Sequence, residues 1–314
     1  MKNDGTMNPA DLTISRKSLS SELSVAPIAW WSDYAALTKP RILLMILFTV
    51  GMGMFAFARQ DLSPWIAIHT LIGTAFIAAS ASILNQWLEQ DRDALMPRTQ
   101  KRPLPSGRLT SFEAASFGWL TAVVGFAYLA LLTNAQATSV GLATWISYVW
   151  IYTPMKLFTW WNTAVGTLPG ALPVMIGWTA AGGSLTSMYG WVLTSVVILW
   201  QFPHFMSIAW LYRDQYKAAG YRMLTNVYPN GVAAGWHAVI PAVALIPVSV
   251  WAVDPTGPVT WILASLAIGS CCLQLTASIR FLANRNEQTA RKLLHSSLIY
   301  LPSIMLLVVI RACL

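Results

Sequence analysis

The chain has 314 residues, 56% of them hydrophobic and only 10% charged, with mean hydropathy +0.54 and a formal net charge of +8. A soluble domain carries about 25% charged residues, so this composition excludes an ordinary globular protein and implies lipid as a solvent. A basic balance of this size can mark a nucleic-acid partner, and the placement of the charges, taken up below, removes that reading.

Residues 1–25 are polar and rich in Ser, with no apolar h-region and no strongly Arg-rich amphipathic pattern. This predicts neither a cleaved secretory signal nor an organellar transit peptide, but a disordered tail over 1–32 ahead of a single membrane domain over 33–314. A bilayer core needs roughly 20 apolar residues per helix. About nine such runs lie near 42–58, 65–88, 113–133, 137–154, 163–181, 189–212, 232–252, 258–279 and 293–311. With only short polar connections between them, the expectation is an all-α polytopic bundle of about nine transmembrane helices around a central cavity. If the N-terminus lies inside, every Lys and Arg except Arg59 and Arg311 falls in the cytoplasmic segments 1–41, 89–112, 155–162, 213–231 and 280–292. That asymmetry is the positive-inside pattern. It explains the net charge as topology, without nucleic acid, and puts the polar loops in the cytoplasm; between a bacterial plasma membrane and an organellar inner one, the N-terminus without a transit-peptide pattern favours the bacterial. Two of these loops, 89–112 and 213–231, follow the second and sixth helices and hint at a weak internal duplication.

The second run ends in Asn85-Gln-Trp-Leu-Glu89-Gln-Asp91-Arg92-Asp93. Asn85, Glu89 and Asp93 repeat every four residues and fan over roughly 80° of one helix face, whereas Asp91 points to the opposite side. An amide and two carboxylates so aligned are hard oxygen ligands of the kind Mg²⁺ takes while substrate phosphates complete its shell. The plainer alternative is a solvated helix end whose acids pair with Arg92 and Arg98. Because the face begins inside a membrane span, where an ionisable group costs about 2.5–3.5 kcal/mol, the metal reading is favoured. The loop that follows carries Arg98, Lys101, Arg102 and Arg108. Guanidinium and ammonium groups beside a carboxylate–metal site are what a diphosphate requires, although any one of them also serves as an ordinary positive-inside charge.

The sixth run leads into Gln201-Phe-Pro-His204 and then Arg213-Asp214-Gln-Tyr216-Lys217-Ala-Ala-Gly220. Asp214 is its only carboxylate, either a further metal ligand or a partner for Arg213 and Lys217. His204 lies within an apolar run, where a hydrogen-bonded core role competes with haem contact or proton handling. Cys271, Cys272 and Cys313 have no metal-type spacing and read as small buried hydrophobes.

At these residues the chain resembles the UbiA superfamily of intramembrane prenyltransferases. The first motif of that superfamily, Asn-x3-Asp/Glu-x3-Asp followed by Arg, is met by Asn85, Glu89, Asp93 and Arg98. Met96-Pro97-Arg98-Thr99, Arg102-Pro103-Leu104 and Leu37-Thr38-Lys39-Pro40-Arg41 resemble the branch that farnesylates haem. So do Tyr152-Thr153 with Lys156 and Asn162, Gly170-Ala171-Leu172-Pro173 with Gly177-Trp178, Pro203-His204-Phe205, and Tyr216-Lys217-Ala218-Ala219-Gly220. Two departures stand out: Glu89 replaces the commoner Asp, and Gly220 sits where the second motif often has another Asp.

The resemblance implies transfer of a farnesyl group from farnesyl diphosphate to a vinyl group of haem b, with addition of water, in a membrane lipid setting. It further implies Mg²⁺ on Asn85, Glu89, Asp93 and Asp214, and diphosphate contacts from Lys39, Arg41, Arg98, Arg102, Lys156 and Lys217. Tyr152 is a candidate to face the allylic cation and His204 to contact haem, and a downstream haem-modifying membrane enzyme is a candidate partner. Prenyl transfer to an aromatic acceptor in quinone synthesis, a transporter with broken helices, and a non-catalytic haem carrier are the competing readings. The last is disfavoured because His69, His204, His237 and His295 show no evident pairing.

Overall fold

The computed structural model describes residues 31–58, 61–254 and 256–314. The expected tail lies outside these residues except for Trp31 and Ser32, which already begin the first helix. Among the described residues there are helices and no strands. A short α1 (Trp31–Leu37) precedes α2 (Pro40–Ala58), α3 (Pro64–Asp93) and α4 (Ser111–Leu132). The next rod is α5 (Ala135–Ile146), a π-turn (Ser147–Tyr152) and α6 (Thr153–Phe158), followed by α7 (Asn162–Ala180) and α8 (Met188–Leu211). Two short helices, α9 (Arg213–Ala218) and α10 (Leu224–Val227), lead to α11 (Val232–Val253), α12 (Pro258–Ala283) and α13 (Glu287–Cys313).

Seven of these, α2, α3, α4, α8, α11, α12 and α13, are long and apolar enough to cross a membrane. The two other expected runs fall on α7 and on the rod that the π-turn breaks. α7 contains Pro169 and Pro173 and is buried over most of its length, so its environment is protein, which tolerates a more polar, Gly- and Pro-rich sequence. The outward faces of the long helices carry Leu44, Phe48, Leu131, Ile240, Ile262 and Leu306, all exposed, as lipid contact demands.

Helix ends are fixed by local chemistry. Thr110 and Glu113 form a reciprocal capping box at the start of α4 (3.2 and 2.8 Å). Asn134 accepts from the amide of Ala137 at 2.8 Å and donates to the Thr179 carbonyl, also at 2.8 Å, so one residue starts α5 and ties it to the end of α7. The bundle runs α2, α3, α4, α5, α7, α8, α11, α12, α13 by neighbour and closes as α13 meets α2; α2 also packs on α7, and α8 on α13. Where α2 crosses α7 the backbones touch: a Cβ on Gly53 would overlap the Val174 carbonyl, and one on Gly177 that of Val50. Small residues are what allow such an approach in a membrane, where there is no hydrophobic drive between helices.

The two polar loops converge on one end of the bundle. The Arg92 guanidinium at the end of α3 donates to the Ala219 carbonyl at 3.2 Å. The Arg222 amide donates to the Lys156 carbonyl at 2.8 Å. α3 packs on α4 after the first loop, and α8 packs on α11 after the second.

Candidate active site

The site is built on the last turns of α3. Asn85, Glu89 and Asp93 are 2, 8 and 1% exposed, while Asp91 is exposed, so the helix face read from spacing is the inward one. Each of the three has a cation. Lys39 Nζ donates to Asn85 Oδ1 at 2.9 Å, Lys156 Nζ lies 2.7 Å from Glu89 Oε1, and Arg102 Nη1 lies 2.5 Å from Asp93 Oδ2. The plainer alternative, pairing with Arg92 and Arg98, is not what the structure holds.

Lys39 reaches Asn85 from a strained position. It stands between α1 and α2 with φ +51°, left-handed backbone that costs a side-chain-bearing residue about 1 kcal/mol or more. Gln86 donates to the Leu37 carbonyl at 2.7 Å and Arg108 to Asp33 at 2.9 Å, so α1 is held against α3 and its loop. Burial first, and then the neighbouring Arg102 guanidinium, pushes the Lys39 ammonium down to about 7. Asn85 Nδ2 donates to Thr153 Oγ1 at 3.0 Å, and that hydroxyl donates to the Tyr148 carbonyl at 2.9 Å. The carbonyl belongs to the π-turn, a local widening often found at functional sites. Beyond the turn, Lys156 Nζ sits 4.6 Å from the centre of the Tyr152 ring, and Gly166 makes room for that ring: a Cβ there would lie 2.5 Å from it.

The remaining predicted residues are spread more widely. Arg98 is exposed and lies over the Tyr212 ring at 5.0 Å. Arg41 and Lys217 are exposed, and neither joins the ion-pair cluster among the described residues. The Asp214 side chain is 89% exposed, 4.0 Å from Arg213, so it stands apart from the three residues of α3. His204 is stacked on Trp200 with centroids 4.9 Å apart, and its Nδ1 is 2.9 Å from Ser297 Oγ on α13.

A hard divalent cation fits this donor set. Among the described residues no three His, Cys, Asp or Glu gather as a metal cage, whereas Asn85, Glu89 and Asp93 present one amide and two carboxylate groups together. Two acids and an amide form an incomplete oxygen shell, suited to a cation that keeps positions for phosphate oxygens.

Residues 46–301 match the profile of the UbiA prenyltransferase family. The chain belongs to that family. Among similar UbiA-family proteins, the protohaem IX farnesyltransferase of Rhodopirellula baltica is 44% identical over 288 residues, covering 88% of this chain and 99% of the relative. That of Solibacter usitatus is 42% identical over 87% of this chain and 96% of the relative. Solved structures share the fold: a digeranylgeranylglyceryl phosphate synthase matches with TM-score 0.74 at 17% identity, over 90% of this chain and 98% of its own. A UbiA homologue of Archaeoglobus fulgidus, bound to GPP and Mg²⁺, matches with TM-score 0.63 at 16% identity over 88% and 99%.

Several residues around this cluster carry no signal in the sequence. Tyr148 and the π-turn show no local pattern. Tyr221, 4% exposed, follows Gly220 at the turn after α9, and a lone aromatic in a polar loop gives no hint of burial. Burial, and then the charge of Glu89, raises its phenol well above the usual range.

Proposed function

We propose that this chain transfers the farnesyl group of farnesyl diphosphate to a vinyl group of haem b. The C1–oxygen bond breaks with its electron pair passing to pyrophosphate, the vinyl π pair forms the new carbon–carbon bond, and water adds to the resulting cation with loss of a proton. The observation that carries this reading is the buried ladder of Asn85, Glu89 and Asp93 facing Lys39, Lys156 and Arg102 at the end of a membrane bundle. A buried site in which each oxygen ligand is held by a cation can exchange partners: the cations turn to an entering diphosphate and the oxygens to its counter-ion.

Asn85, Glu89 and Asp93 would hold Mg²⁺, which when bound supplies a Lewis acid to the departing phosphate oxygens. Lys156, Arg102 and Lys39 stabilise the charge that grows on pyrophosphate, already oriented in a low-dielectric setting. Tyr152, beside Lys156, offers its ring face to the allylic cation, and the apolar helix walls keep water from it until the carbon–carbon bond has formed. Arg98, Arg41 and Lys217 guide the diphosphate from the exposed rim, with Asp214 there as an outer acid. Ser297 holds His204 through Nδ1 and leaves Nε2 to meet haem.

The test is haem O formation by purified protein supplied with Mg²⁺, farnesyl diphosphate and haem b, followed by pigment chromatography. Glu89→Gln and Asp93→Asn are each expected to lower the rate by about 100-fold or more; near-normal turnover by either variant sinks the assignment. His204→Ala is expected to keep farnesyl diphosphate binding and to weaken haem binding, and unchanged haem affinity would remove His204 from the site.

A further inference from the structure

The second polar loop delivers one group that the reaction has not yet used. Tyr221 is 4% exposed, and its hydroxyl makes no hydrogen bond of normal geometry among the described residues, although the Glu89 carboxylate is near enough to act on it as an acceptor. A buried hydroxyl left unpaired costs about 1–3 kcal/mol, and native proteins keep very few. Its position is fixed on both sides. Arg92 holds the Ala219 carbonyl, Gly220 turns the chain at φ +75°, and the Tyr221 amide returns to the Tyr216 carbonyl at 2.9 Å. One residue later the Arg222 amide binds the Lys156 carbonyl at 2.8 Å, and its carbonyl accepts from Asn162 Nδ2 at 3.2 Å. The backbone that carries the phenol is thus tied to α3 and to the segment bearing Lys156. Burial acts most strongly on the phenol, and after it the charges of Glu89, Lys156 and Asp93. Glu89 is already held by Lys156 at 2.7 Å.

We infer that the Tyr221 hydroxyl is a diphosphate-binding group, donating a hydrogen bond to a terminal phosphate oxygen in the space that Lys156 and Arg102 face. This rests on the prenyl-diphosphate reading above. A phenol suits the place because it adds a donor without adding charge: three cations already face the two carboxylates of α3, and a further ammonium there would be buried without a partner. The second loop therefore contributes to the headgroup site through Tyr221, whereas its one acid, Asp214, stays at the rim.

The experiment compares wild type with Tyr221→Phe, a change that keeps the ring packed on Tyr216, 6.0 Å away, and removes only the hydroxyl. Full-length protein with Mg²⁺ is titrated with inorganic pyrophosphate and with the unreactive analogue farnesyl thiolodiphosphate, following both heat of binding and ligand-induced thermal stabilisation. Tyr221→Phe is expected to weaken both ligands about 10-fold, as loss of a hydrogen bond to a charged group does, while its ligand-free melting temperature is unchanged or raised. Equal affinity in the two proteins overturns the inference. So does a lower ligand-free melting temperature with unaltered affinity, which would make Tyr221 a partner of Glu89 alone. If wild type itself binds neither ligand, it is the prenyl-diphosphate reading that fails.

Discussion

Glu89 and Lys156 show how much a membrane-end site depends on pairing. Both side chains are largely buried, 10 and 15% exposed, at 2.7 Å. Removing one partner of such a pair leaves a charge in a poor solvent, whereas removing both leaves a neutral gap. Lys156→Met is therefore expected to destabilise the ligand-free protein by about 3 kcal/mol, measured by denaturation in detergent. The double variant Lys156→Met/Glu89→Gln should recover most of that loss and still make no haem O. If the single and double variants are equally stable, the two charges are not coupled. The same reasoning explains why Lys39 tolerates left-handed backbone: the strained turn is what brings its ammonium to Asn85. Strain of this kind persists only where surrounding contacts hold it, here the docking of α1 on α3 through Gln86 and Arg108.

At the scale of elements, α2 and α7 pack backbone to backbone, and two glycines of α2 provide an internally controlled comparison. Gly53→Ala drives a methyl group into the Val174 carbonyl, which is backbone and cannot swing aside; at Gly51 a Cβ meets nothing within 4 Å. Gly53→Ala should lower stability by about 1–3 kcal/mol, whereas Gly51→Ala should be neutral or gain up to about 1 kcal/mol from helix propensity. Thermal unfolding of the two variants decides it, and equal effects would mean that the helices do not meet at Gly53. These contacts also mark what the sequence could disclose. The long spans were legible because lipid demands unbroken apolar runs. The face of α3 was legible because acids repeating at the helical period inside such a run are too costly to keep without a bound partner. α7 and the α5–α6 rod were expected as ordinary spans, yet one is shielded by neighbours and the other is broken by a π-turn, which depends on three-dimensional context. The cation partners were equally hidden. Lys39 lies 46 residues from Asn85 and Lys156 lies 67 from Glu89, and every polar loop supplies cations that satisfy the positive-inside pattern equally well. The inward turn of Tyr221 and the outward turn of Asp214 are set by how α9 lies on the bundle, and a six-residue helix leaves too short a pattern to reveal its inner face.

For the whole molecule, the arrangement of charge and the site make one joint demand. Lys39, Lys156 and Arg102, the cations held by the inward face of α3, belong to segments of the positive-inside set, so the proposed diphosphate site and the charge asymmetry predict the same, cytoplasmic end. Among the described residues the opposite end carries few charges, Asp61 and the Asp254–Arg311 ion pair, where Arg311 also lies over the Tyr189 ring at 5.5 Å. This predicts that Gln100, in the loop after α3, faces the cytoplasm, and that Thr186, beyond the far end of α7, faces outward; both are exposed. Cysteines placed at either position, in a background with exposed Cys272 and Cys313 replaced, can be read with a membrane-impermeant maleimide in a bacterial host. Thr186→Cys should label in intact cells and Gln100→Cys only after permeabilisation. The reverse pattern would put the acids of α3 on the outer side and would separate the charge asymmetry from the site it is here taken to serve.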